Sequence, residues 1–356
     1  MKNNNKKIMT VILISIILLT TGCGANNYIK DSKGKIVINE ETGQNLQKSI
    51  FCKPSKDTEI YKLYEKYEDQ MSPKLSKLPE CNKFKITSNK TRSVWQFFFV
   101  KPLAYIILKL GYVFKSWGLT KAYLGLSLII IGLLIRIIIL PFNIKTQRQS
   151  KNIQKATPEL QRIEKKYAGK NDQESMMMKT QETMNVYKKY KVNPVLSCVL
   201  ALIQLPVFFA FLQAIYKIPA IYEGKIFGWN LGTTPSVGIS NHQYSFIILV
   251  ILIGLTTYFS FKYSMSKTPT PNSEGASQMK TMLIVMTVFI TFASFTLPTA
   301  IALYWIVTYA FIIIQTFVMN LIDKKKEEND SHRTRNKKSI NSKLKIKEGM
   351  KYGKNN

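Results

Sequence analysis

Five long apolar stretches constrain this chain more than anything else in it, near residues 119–141, 195–216, 244–262, 281–297 and 299–321. Each is about as long as a bilayer-spanning helix, roughly 17–25 residues, with the fourth slightly short. Lipid offers no water to a bare peptide group, so only helices and closed barrels cross it. Runs of this length read as helices. A chain of 356 residues with 46% hydrophobic content has room for two soluble domains, but here the apolar residues are massed rather than spread. The expected fold class is an all-α polytopic membrane protein with five transmembrane helices. A net charge of +30 suits contact with anionic lipid headgroups and with ribosomal RNA.

Inside the first span stands Arg136, with about a dozen uncharged residues before it and four apolar residues between it and Pro141. A guanidinium at the bilayer centre costs roughly 2.5–3.5 kcal/mol on insertion scales, so an intramembrane charge is a functional-site hypothesis by default. The competing reading has Arg136 snorkel its head to the nearby interface.

Residues 1–22 read as a signal peptide, with Lys2, Lys6 and Lys7 ahead of an apolar core from Ile8 to Leu19. Thr20-Thr21-Gly22-Cys23 resembles a lipobox, in which the cysteine is acylated before cleavage; two or more acyl chains anchor stably. Cys23 would then place residues 23–92 outside the cytoplasmic membrane as a lipidated region. Within it, Asp57 to Met71 can form a short helix with Ile60, Leu63, Tyr64 and Tyr67 on one face. Cys52 and Cys81 lie in a compartment that permits a disulfide, with two free thiols as the alternative. Residues 93–118 mix aromatics with Lys101, Lys109, Lys115 and Pro102, which suits an amphipathic helix in the outer interface more than a sixth span.

The stretch 143–193 holds 12 Lys/Arg against 5 Asp/Glu. Thr157-Pro158-Glu159 has the form of an N-cap with Pro at the first helical position. Leu160, Ile163 and Tyr167 follow at helical spacing, Ala168 to Asp172 interrupts, and a second helix carries Met177, Met184 and Tyr187. That is a helical hairpin: either a solvated linker or an arm presented to partners. The tail 323–356 also holds 12 Lys/Arg, whereas 217–243 holds two. The positive-inside rule puts the hairpin and tail in the cytoplasm and the N-terminus outside. The tail, mostly charged, is expected to be disordered.

The other spans carry polar residues of their own: Gln204; Thr256, Thr257 and Ser260; Thr287, Thr291 and Ser294; and Tyr304, Trp305 and Thr308. Thr256 and Ser260 share a helix face, as do Thr287, Thr291 and Ser294. Such hydroxyls often serve only helix packing. Together with Arg136 they can instead line one hydrated cavity.

Several motifs in order carry a resemblance: Arg136 with Pro141, the charged hairpin, Asn193-Pro194 with Cys198, Gln204 and Pro206, Gly254 to Thr257, and Leu297-Pro298 leading to Tyr304-Trp305. Over roughly residues 95–322 the chain resembles the YidC/Oxa/Alb insertases, and the lipobox fits the Gram-positive form. The resemblance implies a membrane protein insertase whose five-helix core (119–322) holds a hydrophilic groove open to cytoplasm and lipid. It implies groove residues Arg136, Gln204, Thr256, Ser260, Thr291, Tyr304 and Trp305. It also implies nascent membrane proteins as substrates, the Sec translocon as partner, and the ribosome, SRP and its receptor at the hairpin and tail. Many members carry Gln where Ser260 aligns, which leaves this groove less polar.

In the mechanism expected from these residues, Arg136 transiently holds an acidic substrate flank while the apolar segment leaves into lipid. None of the five spans contains Asp or Glu, so no carboxylate neutralises that charge. The runner-up is an anion transporter or channel using Arg136 as its binding charge, although no internal repeat is visible. A membrane enzyme is the third class, for which no catalytic pair assembles from the spans. Two histidines and no CxxC point to no metal, no cofactor is called for, and no DNA is implied.

Overall fold

The structure, a computed structural model, describes residues 27–89, 93–170, 172–265 and 273–352. Side chains at 194–203, 264–265, 273–279, 282, 327, 330–331 and 333–352 are excepted. The signal-peptide and lipidation readings at 1–22 and Cys23 lie outside the described residues.

Residues 27–89 form a small core that Tyr222, from outside the segment, completes. A two-stranded antiparallel ribbon, β1 (Ile38–Asn39) and β2 (Gln44–Asn45), pairs Ile38 with Asn45. Helix α1 (Glu59–Lys66) starts where the Thr58 hydroxyl accepts from Tyr61 N at 3.4 Å. It buries Ile60 and Tyr64, two members of the helix face read from sequence, against Ile29, Leu46, Ile50 and Leu75. Cys52 and Cys81 are joined by a disulfide, with Cα atoms 4.8 Å apart. Phe51, Phe84 and these two half-cystines pack into the main helical core, not into the segment's own.

A π-helical turn, Gln96–Val100, leads into α2 (Lys101–Ser116). By length and composition Gln96–Ser116 is able to cross a membrane, where the lysines had argued for an interfacial helix. Lys101 shows how a lysine is accommodated there. It is buried, and its ammonium donates to Ser88 O at 2.8 Å and Asn89 O at 2.5 Å. The same buried face of α2 packs on α3 (Tyr123–Lys166), where Ala104, Ile107 and Leu108 share a core with Leu124, Leu128 and Ile131.

Helix α3 corrects one expectation. It runs 44 residues without a break, through Pro141, so Thr157-Pro158 does not start a new helix. Proline removes one helical hydrogen bond, and at 157 the threonine hydroxyl bonds back to Ile153 O at 2.9 Å instead of capping. The hairpin turn follows, with Gly169 at φ +78°, and Asp172 caps α4 (Gln173–Lys189) by accepting from Ser175 N at 2.8 Å. The arms meet through Ala156, Leu160 and Val186. Met177, expected in that seam, is 68% exposed. Lys166–Glu182 (2.6 Å) and Lys189–Glu159 (2.5 Å) flank the seam as exposed ion pairs.

Helix α5 (Pro194–Lys217) is followed by a compact connection holding α6 (Ala220–Glu223), β3 (Lys225–Ile226), β4 (Trp229–Asn230) and α7 (Pro235–Ser240). Then come α8 (Ser245–Met265), α9 (Ser273–Ala293) and α10 (Thr299–Tyr352). The stretches Tyr123–Lys166, Ser245–Tyr263 and Thr299–Lys326 are also long and apolar enough to span, whereas the apolar part of α9, Leu283–Ala293, is shorter. Helices α2, α3 and α5 and the start of α10 share one core, in which Phe211, Ala214, Ile215, Ala300 and Ile301 are buried. The chain belongs among polytopic α-helical membrane proteins. The tail expected to be disordered is helical to Tyr352, because 323–352 holds only one glycine and no proline and is rich in Lys and Glu, good helix formers. Residues Phe311–Asn356 form a compact unit separate from Met1–Ala310.

Candidate functional site: a buried arginine without a carboxylate

The inward face of α3 is set by the spacing of Leu124, Leu128, Gly132 and Arg136, four residues apart and all buried. Leu134, Ile137 and Ile138 lie on the other side, 46–75% exposed. Arg136 therefore points into protein and is only 6% exposed. Gly132, one turn earlier, faces α10, where a Cβ would make ordinary contact with Tyr304 Cδ2 at 3.5 Å and Val307 Cγ1 at 3.7 Å.

Tyr304 is the hub. Its ring stacks on Phe211 of α5 at 4.3 Å, and its hydroxyl accepts from Gln204 Nε2 at 3.3 Å. Arg136 interacts electrostatically with Tyr304 and with Tyr309 on the same helix. The Gln204–Tyr304 bond ties α5 to α10, and Arg136 of α3 lies within electrostatic reach of Tyr304. The Arg136 Nε is buried with no hydrogen-bond partner, and no carboxylate among the described residues pairs with it. Desolvating a charge without a counter-ion costs several kcal/mol even after relaxation. A fold that keeps such a group spends stability on it.

The remaining residues named from sequence fall differently. Ser260 is buried, but the residue sharing its inward face is Thr257, fully buried with its hydroxyl unpartnered. Thr256 instead donates to Leu252 O at 2.7 Å on its own helix. Thr291 likewise donates to Thr287 O at 2.8 Å, and sits where a Cβ on Gly254 would meet its hydroxyl at 3.2 Å. Its first role is therefore close packing of α8 on α9. Trp305 stacks on Phe208 at 5.8 Å, among apolar neighbours. No contact links Thr256, Ser260, Thr291 or Trp305 to Arg136 among the described residues. Tyr309 was not named from sequence, and Thr308 was named among the span hydroxyls but not among the groove residues. Thr308 is one turn beyond Tyr304 and buried with an unpartnered hydroxyl, and that i, i+4 spacing was the available signal. Among the described residues no group of His, Cys, Asp and Glu forms a metal site.

The family model described as 60Kd inner membrane protein matches residues 116–327. That is more than half of the chain, and it contains every residue of the polar cluster. The chain belongs to this YidC/Oxa/Alb family. It is 35% identical over 237 residues to the membrane protein insertase YidC of Oceanobacillus iheyensis, covering 66% of this chain and 86% of that protein. Over 232 residues it is 36% identical to the membrane protein insertase MisCA of Bacillus subtilis, covering 65% and 81%. The membrane protein insertase YidC 1 of Listeria monocytogenes serotype 4b is 31% identical over 246 residues, 69% of this chain and 78% of that one. The family match begins at the last residue of α2, so the folded segment 27–89 lies outside it.

Proposed function

We propose that this chain is a membrane protein insertase that accepts the hydrophilic flank of a nascent membrane protein at Arg136. The observation that carries this reading is a buried guanidinium near Tyr304 that has no acidic partner among the described residues. A charge kept without a counter-ion is available to a visiting one. An acidic flank crossing ~30 Å of hydrocarbon meets a barrier of several kcal/mol per unsatisfied group, and a fixed cation part-way lowers it. Because Arg136 binds as one charge among neutral hydroxyls, the flank is released again as the apolar segment moves into lipid. The names of the relatives support the same activity.

In this reading the N-terminus, acylated at Cys23 after removal of residues 1–22, faces outward from the cell membrane, and the C-terminus is cytoplasmic. The 143–193 hairpin and the helical tail meet the ribosome, SRP and its receptor; the Sec translocon accompanies larger clients; the basic surface contacts anionic lipids. Gln204 and Tyr304 orient the cluster, with Thr256, Ser260, Thr291 and Trp305 along the substrate's path. The test is insertion, by purified protein in liposomes, of a single-span substrate with an acidic flank. Arg136→Lys is expected to retain most activity and Arg136→Ala to lose it; equal activity in all three proteins would refute the role of the charge.

A further inference from the structure

The folded N-terminal segment is bonded, through one short stretch of backbone, to the helix that carries Tyr304. Gln44 Nε2 donates to Gly232 O at 2.9 Å, and Thr234 N donates to Thr42 O at 2.9 Å. Between these bonds the two chains touch. A Cβ on Gly43, whose φ is +74°, would lie 2.7 Å from both Thr234 Oγ1 and Val237 Cγ2, so no side chain fits there. The other edge of the same stretch holds the start of α10. Ala300 N donates to Leu231 O at 2.9 Å, and Thr299 gives Thr233 O both its amide (3.0 Å) and its hydroxyl (2.8 Å). These amides are first-turn donors that the helix itself leaves unsatisfied. Leu231, Thr233, Thr234 and Thr299 are all buried, so nothing in the chain of bonds is a loose surface contact. Tyr304 follows one turn later.

We infer that Gly43 and Gln44 are positioning residues for the Arg136 cluster. They hold residues 231–234 in register, that stretch holds the first turn of α10, and the first turn fixes where the Tyr304 ring meets Phe211, Gln204 and Arg136. The family core thus takes part of its alignment from a segment that the family match does not contain. Close-packed interiors pass on displacement and do not absorb it. Losing the bond to Gly232 O shifts Tyr304 relative to Arg136, which weakens reception of an acidic flank more than of a neutral one. This inference rests on the proposed insertase reading for its activity readout only.

The experiment uses the full chain with its disulfide intact, as wild type, Gln44→Leu and Gly43→Ala. Its first readout is the 19F resonance of Tyr304 in 3-fluorotyrosine-labelled protein, assigned by its loss in Tyr304→Phe. Its second is insertion of two single-span substrates, one with an acidic and one with a neutral flank. The expectation is a shifted resonance in Gln44→Leu and acidic-flank insertion slowed about three- to tenfold, against less than about twofold for the neutral flank. Gly43→Ala should exaggerate both if it folds, and Gln44→Leu keeps the test open if it does not. An unmoved resonance, or equal slowing of both substrates with a lowered melting temperature, would overturn the inference. A shifted resonance in a protein whose wild type inserts neither substrate would uphold the positioning and refute the insertase reading instead.

Discussion

The N-terminal segment and the Arg136 cluster are both buried against the same helical core, and they treat polar groups in opposite ways. In the segment, buried polar groups mostly have partners: Gln44 bonds Gly232 O, Gln47 N donates to the Tyr64 hydroxyl at 3.3 Å, and the Lys101 ammonium beneath it holds two carbonyls. In the cluster, the Arg136 Nε and the Thr308 hydroxyl have none, whereas in the segment the Thr42 hydroxyl is an exception. A buried polar group without a partner costs roughly 1–3 kcal/mol, more when charged. The segment is therefore organised for stability, and the cluster carries an uncompensated charge whose cost a bound anionic group would lower.

The sharpest way to break this contrast is to weaken the segment. Replacing Cys52 and Cys81 by Ser opens a loop of 29 residues' separation, and about 3–4 kcal/mol of stabilisation is expected to go with it in the chain-entropy model. Limited proteolysis should then cut between residues 27 and 89 while α3 and α5 stay protected. Equal resistance in oxidised and mutant protein would mean that packing alone holds the segment.

The cluster should respond in the opposite sense. Arg136→Met removes a desolvated charge and keeps its volume, so thermal stability in detergent or nanodiscs should stay level or rise, by up to about 1–4 kcal/mol. Insertion of an acidic-flank substrate should fall in the same protein. A strong loss of stability would show that Arg136 is a structural tie like Lys101, and the contrast would collapse.

The smallest expected effect lies in the hairpin. Hydrogen bonding from the Lys166 ammonium holds the Glu182 carboxyl below the usual carboxylate range. A folded value below the unfolded one means that the pair contributes above the ordinary range and is lost as pH falls through the depressed value. Hydrogen exchange in α4 should quicken modestly on acidification, and Glu182→Gln should remove that part of the pH dependence. Because both partners are exposed, the effect is screened by salt.

What could be read from sequence followed from period and burial. The apolar runs gave the helices, and the place of Arg136 in its run gave the site. Gln204 and Tyr304 came from the polar residues of the spans and from the resemblance, and a hydrogen bond of 3.3 Å joins the two. Errors arose where local chemistry had two outcomes. Thr157-Pro158 matches a helix start but sits within α3, since a threonine hydroxyl can bond backward as readily as cap. Thr256 was chosen over Thr257 because i, i+4 spacing to Ser260 suits a face as well as i, i+3 does, and only packing against α9 decides between them. The docking of residues 42–44 on 231–234 was invisible, because backbone carbonyls and amides leave no mark in side-chain patterns.

The most direct measurement of the central claim is a double-mutant cycle across the complex: wild type and Arg136→Ala, each with a substrate whose flank is acidic or neutral, compared by insertion rate in liposomes. If Arg136 receives the acidic group, its removal should slow the acidic substrate far more than the neutral one, and the two changes should be strongly non-additive. If Arg136→Ala slows both substrates by the same factor, or neither, the buried charge does not read the flank and Arg136 is not its receiver.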